Sequence, residues 1–201
     1  MKLLHRKDLF GWSEFNRERN LDFHSVLWVR EDGNVLIDPL PMSEHDHSHL
    51  QSLGGVSFIV ITNSDHCRDA EHIAEVTGAA IYGPAAEEET FPLSCTRWLH
   101  EQEEIVPGLI AYQLNGSKTP GELALLLEHS TLITGDLIRC HIAGELCMLP
   151  DEKLTDKAKA VQSVKRIAEL PDIKAVLTGD GWPLFNHGGE ALHRLARSLN
   201  Q

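Results

Sequence analysis

The chain is short of basic residues, of paired cysteines and of long apolar runs, and each shortage removes a class of function. Lysine and arginine total 18 against 30 aspartates and glutamates, a formal net charge of -12. A nucleic-acid backbone or an anionic membrane would repel such a chain at long range, so neither is expected as a partner. No run reaches membrane-spanning length, and Met1 to Asp8 lack the apolar block of a signal peptide, so a cytoplasmic location is expected. The four cysteines, Cys67, Cys95, Cys140 and Cys147, make no Cys-x-x-Cys pair. They read as free thiols of a reducing compartment, with Cys140 and Cys147 as small buried hydrophobes. There is no Gly-x-Gly-x-x-Gly or phosphate-loop motif, and no Gly-x-Ser-x-Gly elbow surrounds Ser64, Ser117 or Thr119. Repeats, low-complexity tracts and linkers are also missing, so the 201 residues are expected to form one domain over 1–201.

What is present is an alternation of strand and helix signals. His24 to Arg30 and Asn34 to Asp38 flank Glu31-Asp32-Gly33, whose Asp-Gly predicts a hairpin. Ser43 followed three residues later by Asp46 predicts a capped helix running to Leu53, stopped by Gly54-Gly55. The continuous apolar run Val56 to Ile61 reads as a strand covered on both faces. A helix over about Cys67 to Val76 and a strand over Ala79 to Tyr82 follow, which implies a parallel pair joined by a right-handed crossover. Strands are then expected at 97–100, 109–114, 122–128 and 131–134, a helix at 155–170, a strand at 173–177 and a helix at 189–199.

Four loops carry the chemistry: Thr62-Asn63-Ser64-Asp65-His66-Cys67-Arg68, Lys118-Thr119-Pro120-Gly121, Thr134-Gly135-Asp136 and Thr178-Gly179-Asp180-Gly181. In order and context they resemble the metal-binding loops of the metallo-beta-lactamase superfamily. Those loops usually read Thr-His-x-His-x-Asp-His, His-Thr-Pro-Gly, Gly-Asp and Gly-His-Gly. The resemblance implies an α/β (α+β) fold, a four-layered αββα sandwich, with the site at one edge. It also implies a hydrolase whose ancestral chemistry is metal-activated water. Aligned on Thr62, Asn63 and Asp65 fall at the first two histidine positions, Cys67 at the aspartate and Arg68 at the last histidine. His66 becomes a bystander. Lys118 replaces the second motif's histidine and Asp180 the last one, while the turn residues and the bridging Asp136 remain.

Zinc prefers imidazole and thiolate donors. The aligned site instead offers Asp65, Asp136 and Asp180, with Cys67 and Asn63, beside the cations Arg68 and Lys118. Two unit charges about 4 Å apart interact by roughly 4 kcal/mol at an effective dielectric near 20. The expectation is therefore that Lys118 and Arg68 stand in for the metals and that no cofactor is bound. Should a divalent metal bind, Asp65, Asp136 and Asp180 would favour magnesium or manganese over zinc. The catalytic candidates are Asp65, His66, Cys67, Arg68, Lys118 and Asp180. His66 is a possible general base or a helix-start packing residue, and Cys67 a thiol activated by Arg68 and Lys118. Three functions compete: a hydrolase by descent, a non-catalytic relative binding a small molecule or protein in the old cleft, and a thiol catalyst. His45, His47 and His49 read as a solvated helix face, and Trp182 and Phe185 either border the pocket or close the core under the last helix.

Overall fold

A computed structural model describes residues 1–199 of the protein. In chain order the strands are β1 (Lys2–Leu3), β2 (Leu9–Asn16), β3 (Leu21–Trp28) and β4 (Val35–Ile37). Next come α1 (Glu44–Ser52), β5 (Phe58–Val60), α2 (Ala70–Thr77), β6 (Ala80–Pro84) and β7 (Arg97–Leu99). The second half holds β8 (Glu104–Val106), β9 (Leu109–Leu114), β10 (Glu122–Leu127), β11 (Thr131–Thr134), β12 (Ile138–Ile142) and β13 (Glu145–Met148). It closes with α3 (Lys157–Ala168), β14 (Ala175–Thr178) and α4 (Gly188–Ser198). One sheet runs β1 to β7 in sequence order, and the other is ordered β14-β11-β10-β9-β8.

Alternation along the strands builds the layers. Leu123, Leu125 and Leu127 of β10 face the space between the sheets, where they meet Val26, Trp28, Val35, Ile37 and Val60. Ala124 and Leu126 face the other way, onto Ala160, Val164 and Ile167 of α3 and Leu192 and Leu195 of α4. On the first sheet, Leu36 and Ile59 turn outward to Leu50 of α1 and Ile73 of α2. Helix, sheet, sheet, helix is the resulting order, the expected αββα sandwich. A strand with a period of two buried on both faces needs apolar residues throughout, which is why β10 shows no polar position after Glu122.

The helix signals hold. Ser43 Oγ accepts from Asp46 N at 3.1 Å, capping α1, and Gly78 closes α2 in the left-handed region at φ 75°. β5 and β6 pair in parallel across α2. Four pieces escape the sequence reading: β1, β2, the short β8 and the separate β12–β13 hairpin. α2 also starts three residues later than expected, because Ser64–His66 form a 3-10 turn first. That offset matters at the site.

Candidate functional site

The four loops converge at the C-terminal ends of β4, β5, β11 and β14. Asp38 follows β4, Asn63 to Arg68 follow β5, Asp136 follows β11 and Asp180 follows β14. Lys118 enters from the loop before β10. The retained glycines are steric requirements of this gathering. A Cβ on Gly135 would lie 2.8 Å from Thr62 Oγ1 and 2.9 Å from Asn63 Nδ2, and one on Gly179 would lie 2.8 Å from the His66 ring.

At the centre is Asp136, almost fully buried. Its Oδ2 is 2.8 Å from Lys118 Nζ, which also reaches Asp65 Oδ2 at 2.6 Å. The same oxygen accepts from Asn63 Nδ2 at 3.1 Å, and His66 Nε2 stands 3.5 Å away. Asn63 uses its other amide atom to cap the 3-10 turn, accepting from Asp65 N at 3.0 Å. Asp180 Oδ2 is bonded to Arg139 of β12, whose guanidinium is also 3.5 Å from Asp136 Oδ1. Behind these, Asp38 Oδ2 accepts from Thr62 Oγ1 at 2.6 Å and pairs with His66 Nδ1 at 2.8 Å. Glu122, also fully buried, accepts from Ser117 Oγ at 2.6 Å and from Leu137 N at 2.8 Å.

These contacts set the charge states. Burial works against an ionised His66, but the charge of Asp38 and hydrogen bonds to Asp136 and Asp38 outweigh it, raising the pKa to about 9. His66 is therefore an imidazolium at neutral pH with both ring nitrogens directed at carboxylates. Burial would raise the Asp136 carboxyl, yet His66 and Lys118 hold it well below the usual carboxylate range. Burial opposes the Lys118 ammonium as well, and Asp136 and Asp65 more than compensate, so its pKa is raised. Glu122 goes the other way. Burial and the nearby charge of Asp136 push it up to about 7.

Several expectations change here. Lys118 does act as a counter-ion to two aspartates, but Arg68 does not. Its Nη1 donates to the main-chain oxygens of His24 at 2.7 Å and Asp38 at 2.9 Å, and the inner guanidinium is that of Arg139. His66 is no bystander: the 3-10 turn rotates it inward and leaves Asp65 exposed at the edge. As a protonated group between two carboxylates it lacks the lone pair that a general base requires. Among the described residues, the group with metal-ligand spacing is His66, Asp136 and Asp180, whose ligand atoms lie within 4.8 Å of one another, and not Asp65, Asp136 and Asp180. Cys67 packs against the α1–α2 side of the first sheet, and burial followed by the charge of Asp38 pushes its thiol up to about 12. An activated thiolate does not form there.

His45 and His49 sit one turn apart on α1 with ring centroids 6.4 Å apart. Trp182 and Phe185 are 57% and 42% exposed, so they do not close the core, and neither lines the cleft that holds Asp180. Phe185 instead walls a separate 420 Å³ cavity with Leu4, Trp12 and Val26.

The residues present do not fit a divalent ion as they stand. Asp136 and Asp180 each have an oxygen engaged by a fixed cation. A doubly charged ion about 4 Å from one such cation is repelled by roughly 8 kcal/mol at an effective dielectric near 20. Lys118 and Arg139 would have to leave before the carboxylates could ligate.

Above the cluster opens a cleft of about 430 Å³ lined by Asn16, Glu18, Arg19, Phe23 and Leu40, with Asp65, His66, Arg68, Lys118, Asp136 and Asp180 as its floor and near wall. Two facing sheets between helices, with the polar cluster at strand ends along one edge, define a hydrolase-type αββα scaffold. The model of the metallo-beta-lactamase superfamily matches residues 1–199, and the chain belongs to that superfamily. Solved structures agree on the fold. A metallo-beta-lactamase from Pontibacter korlensis is 14% identical with a TM-score of 0.76, covering 98% of this chain and 96% of its own. One from Erythrobacter litoralis is 16% identical at a TM-score of 0.75, with coverages of 96% and 94%. The protein TTHA1623, solved in a di-iron-bound form, is 21% identical at a TM-score of 0.69, with coverages of 90% and 96%. No curated protein matches the chain in sequence.

Proposed function

We propose that this protein is a hydrolase-fold relative that has exchanged its metal ions for fixed side-chain cations and binds a polar small molecule in the inherited cleft. The observation that carries the reading is the placement of Lys118 Nζ, 2.8 Å from Asp136 Oδ2 and 2.6 Å from Asp65 Oδ2. An ammonium there satisfies the carboxylate that bridges metals in the family pattern. His66 and Arg139 complete the replacement, each aimed at a carboxylate oxygen. The cluster's own side chains are committed to one another, which gives the site charge and shape for binding.

The test is metal content and its response to one substitution. Purified protein exposed to zinc and to manganese, then dialysed, is expected to retain far less than one ion per chain by elemental analysis. Lys118→Ala removes the central cation and is expected to raise manganese or zinc affinity about tenfold or more. Stoichiometric metal in the unaltered protein, with a hydrolytic activity abolished by chelators, would overturn the reading.

The 4.8 Å grouping of His66, Asp136 and Asp180 favours a second reading, a single-metal hydrolase in which Lys118 and Arg139 both withdraw from the carboxylates. Asp38 on His66 Nδ1 would then direct Nε2 to the ion. The same measurement separates the two.

A further inference from the structure

The cleft mouth differs from its floor in having cations with no carboxylate bonded to them among the described residues. Arg19 lies in the β2–β3 turn, where its main-chain N–H donates to Asn16 Oδ1 at 2.9 Å. Its guanidinium carbon is 5.9 Å from the Phe23 ring centroid, and that of Arg68 is 5.6 Å from the same centroid. Two guanidinium groups therefore share one aromatic ring at the edge of one cleft. Among the described residues no acceptor is bonded to the Arg19 guanidinium, and Arg68 spends only Nη1 on main-chain oxygens. Those two oxygens belong to β3 and to the residue after β4, so the Arg68 fork is anchored with its remaining donors unspent.

The charge balance points the same way. Of the carboxylates lining the cleft, Asp65 and Asp136 are paired with Lys118, and Asp180 with Arg139. Only Glu18, exposed at the tip, stands against Arg19 and Arg68. The mouth is thus locally positive on a chain of net charge -12. A guanidinium beside an aromatic face recognises planar or tetrahedral oxyanions through parallel N–H bonds.

We infer that Arg19 and Arg68 form an oxyanion subsite, and that the small molecule held in this cleft carries a carboxylate or a phosphate received by these two guanidinium groups about Phe23. The inference rests on the proposed ligand-binding role of the same cleft, and it names the ligand's charged end. The body of the ligand would extend inward past Leu40 toward Lys118.

Calorimetric titration of the full chain at low salt tests it, with inorganic phosphate and acetate as probes. One or both are expected to bind at millimolar concentration, and whichever binds tells phosphate from carboxylate. Arg19→Gln should weaken that binding roughly tenfold, the loss of one charge-assisted hydrogen-bonding group, and Glu18→Gln should strengthen it about two- to threefold. Arg68→Gln should abolish it. Because Arg68 also tethers β3 to the residue after β4, its variant is first checked for native circular dichroism. Arg19, whose side chain is exposed, carries the test alone if that variant does not fold. Absence of binding by both anions, or binding that Arg19→Gln leaves unchanged, overturns the inference. Stoichiometric metal alongside arginine-dependent anion binding would sink the metal-free reading and leave this one standing. A metal-free protein indifferent to both anions would do the reverse.

Discussion

The floor and the mouth of one cleft are built from the same residue types and put them to opposite uses. On the floor, His66, Lys118 and Arg139 are each committed to carboxylates, and Asp136 alone collects contacts from all three and from Asn63. At the mouth, Arg19 and the outer donors of Arg68 bond no carboxylate among the described residues. Buried charge survives only when paired, so the charged groups of the floor hold one another in place. Exposed charge is solvated by water and can be given up to a ligand at little cost. The difference teaches that charged side chains of the same types can be locked into structure at one end of a cleft and left unpaired at the other.

Breaking the floor should be expensive. Arg139→Met leaves Asp180 buried beside Asp136 without its cation, and removing one partner of a buried pair typically costs about 3–5 kcal/mol. Urea unfolding should show a loss of that size, whereas Arg19→Gln at the mouth should change stability by less than about 0.5 kcal/mol. Adding Asp180→Leu to Arg139→Met should recover much of the loss, because the uncompensated charge goes with its partner. Equal, small effects at both positions would erase the contrast between floor and mouth.

A pH titration sharpens the comparison next. The folded pKa of His66 is raised from 6.5 to about 9. A raised pKa means that the folded state binds its proton more tightly than the unfolded chain. The stabilisation is fully present below pH 6.5 and lost as pH rises through about 9, a loss on the order of 3 kcal/mol. Glu122, raised from 4.5 to about 7, has the same sign, so stability also declines between those values. His66→Gln should flatten the alkaline part of the profile and Glu122→Gln the part between pH 4.5 and 7. A profile without an alkaline decline would mean that His66 is neutral and free to act as a base.

Much of this was legible in the sequence because turns and layers obey local rules. Thr119-Pro120-Gly121, Gly135-Asp136 and Gly179-Asp180-Gly181 stand out since close backbone approach admits only glycine there, and β10 stands out by its unbroken apolar run after Glu122. The Lys118 replacement followed from aligning those turns. Arg139 did not, because nothing near it in the chain marks it. Its partner Asp180 lies 41 residues away and is brought to it by the packing of β12 beside β14. The roles of Asp65 and His66 depended on a phase no spacing fixes: the 3-10 turn Ser64–His66 rotates one inward and the other out. The strand β2 had a usable signal in its buried Leu9 and Gly11 alternating with Phe10 and Trp12, and Arg19 gained meaning only once that strand was paired with β3.

The smallest expected effect concerns Cys67, which sits between floor and mouth in sequence but belongs to neither in space. Its neighbours are the apolar residues under α1 and α2, with Cys95 close by. Burial and the surrounding carboxylates Asp38, Glu87 and Asp65 all act against a thiolate, so the pKa stands near 12 rather than 9. Arg68, one residue on, does not reverse this because its guanidinium is drawn to main-chain oxygens on the far side of the turn. Alkylation of the native protein at pH 8 should therefore be slow at Cys67, and Cys67→Ala should leave anion binding unchanged. The stability cost should be within about 1 kcal/mol, a small side chain traded for a slightly smaller one. Rapid modification mapping to Cys67 would show that the turn opens, and with it that the boundary between a closed floor and an open mouth runs somewhere else.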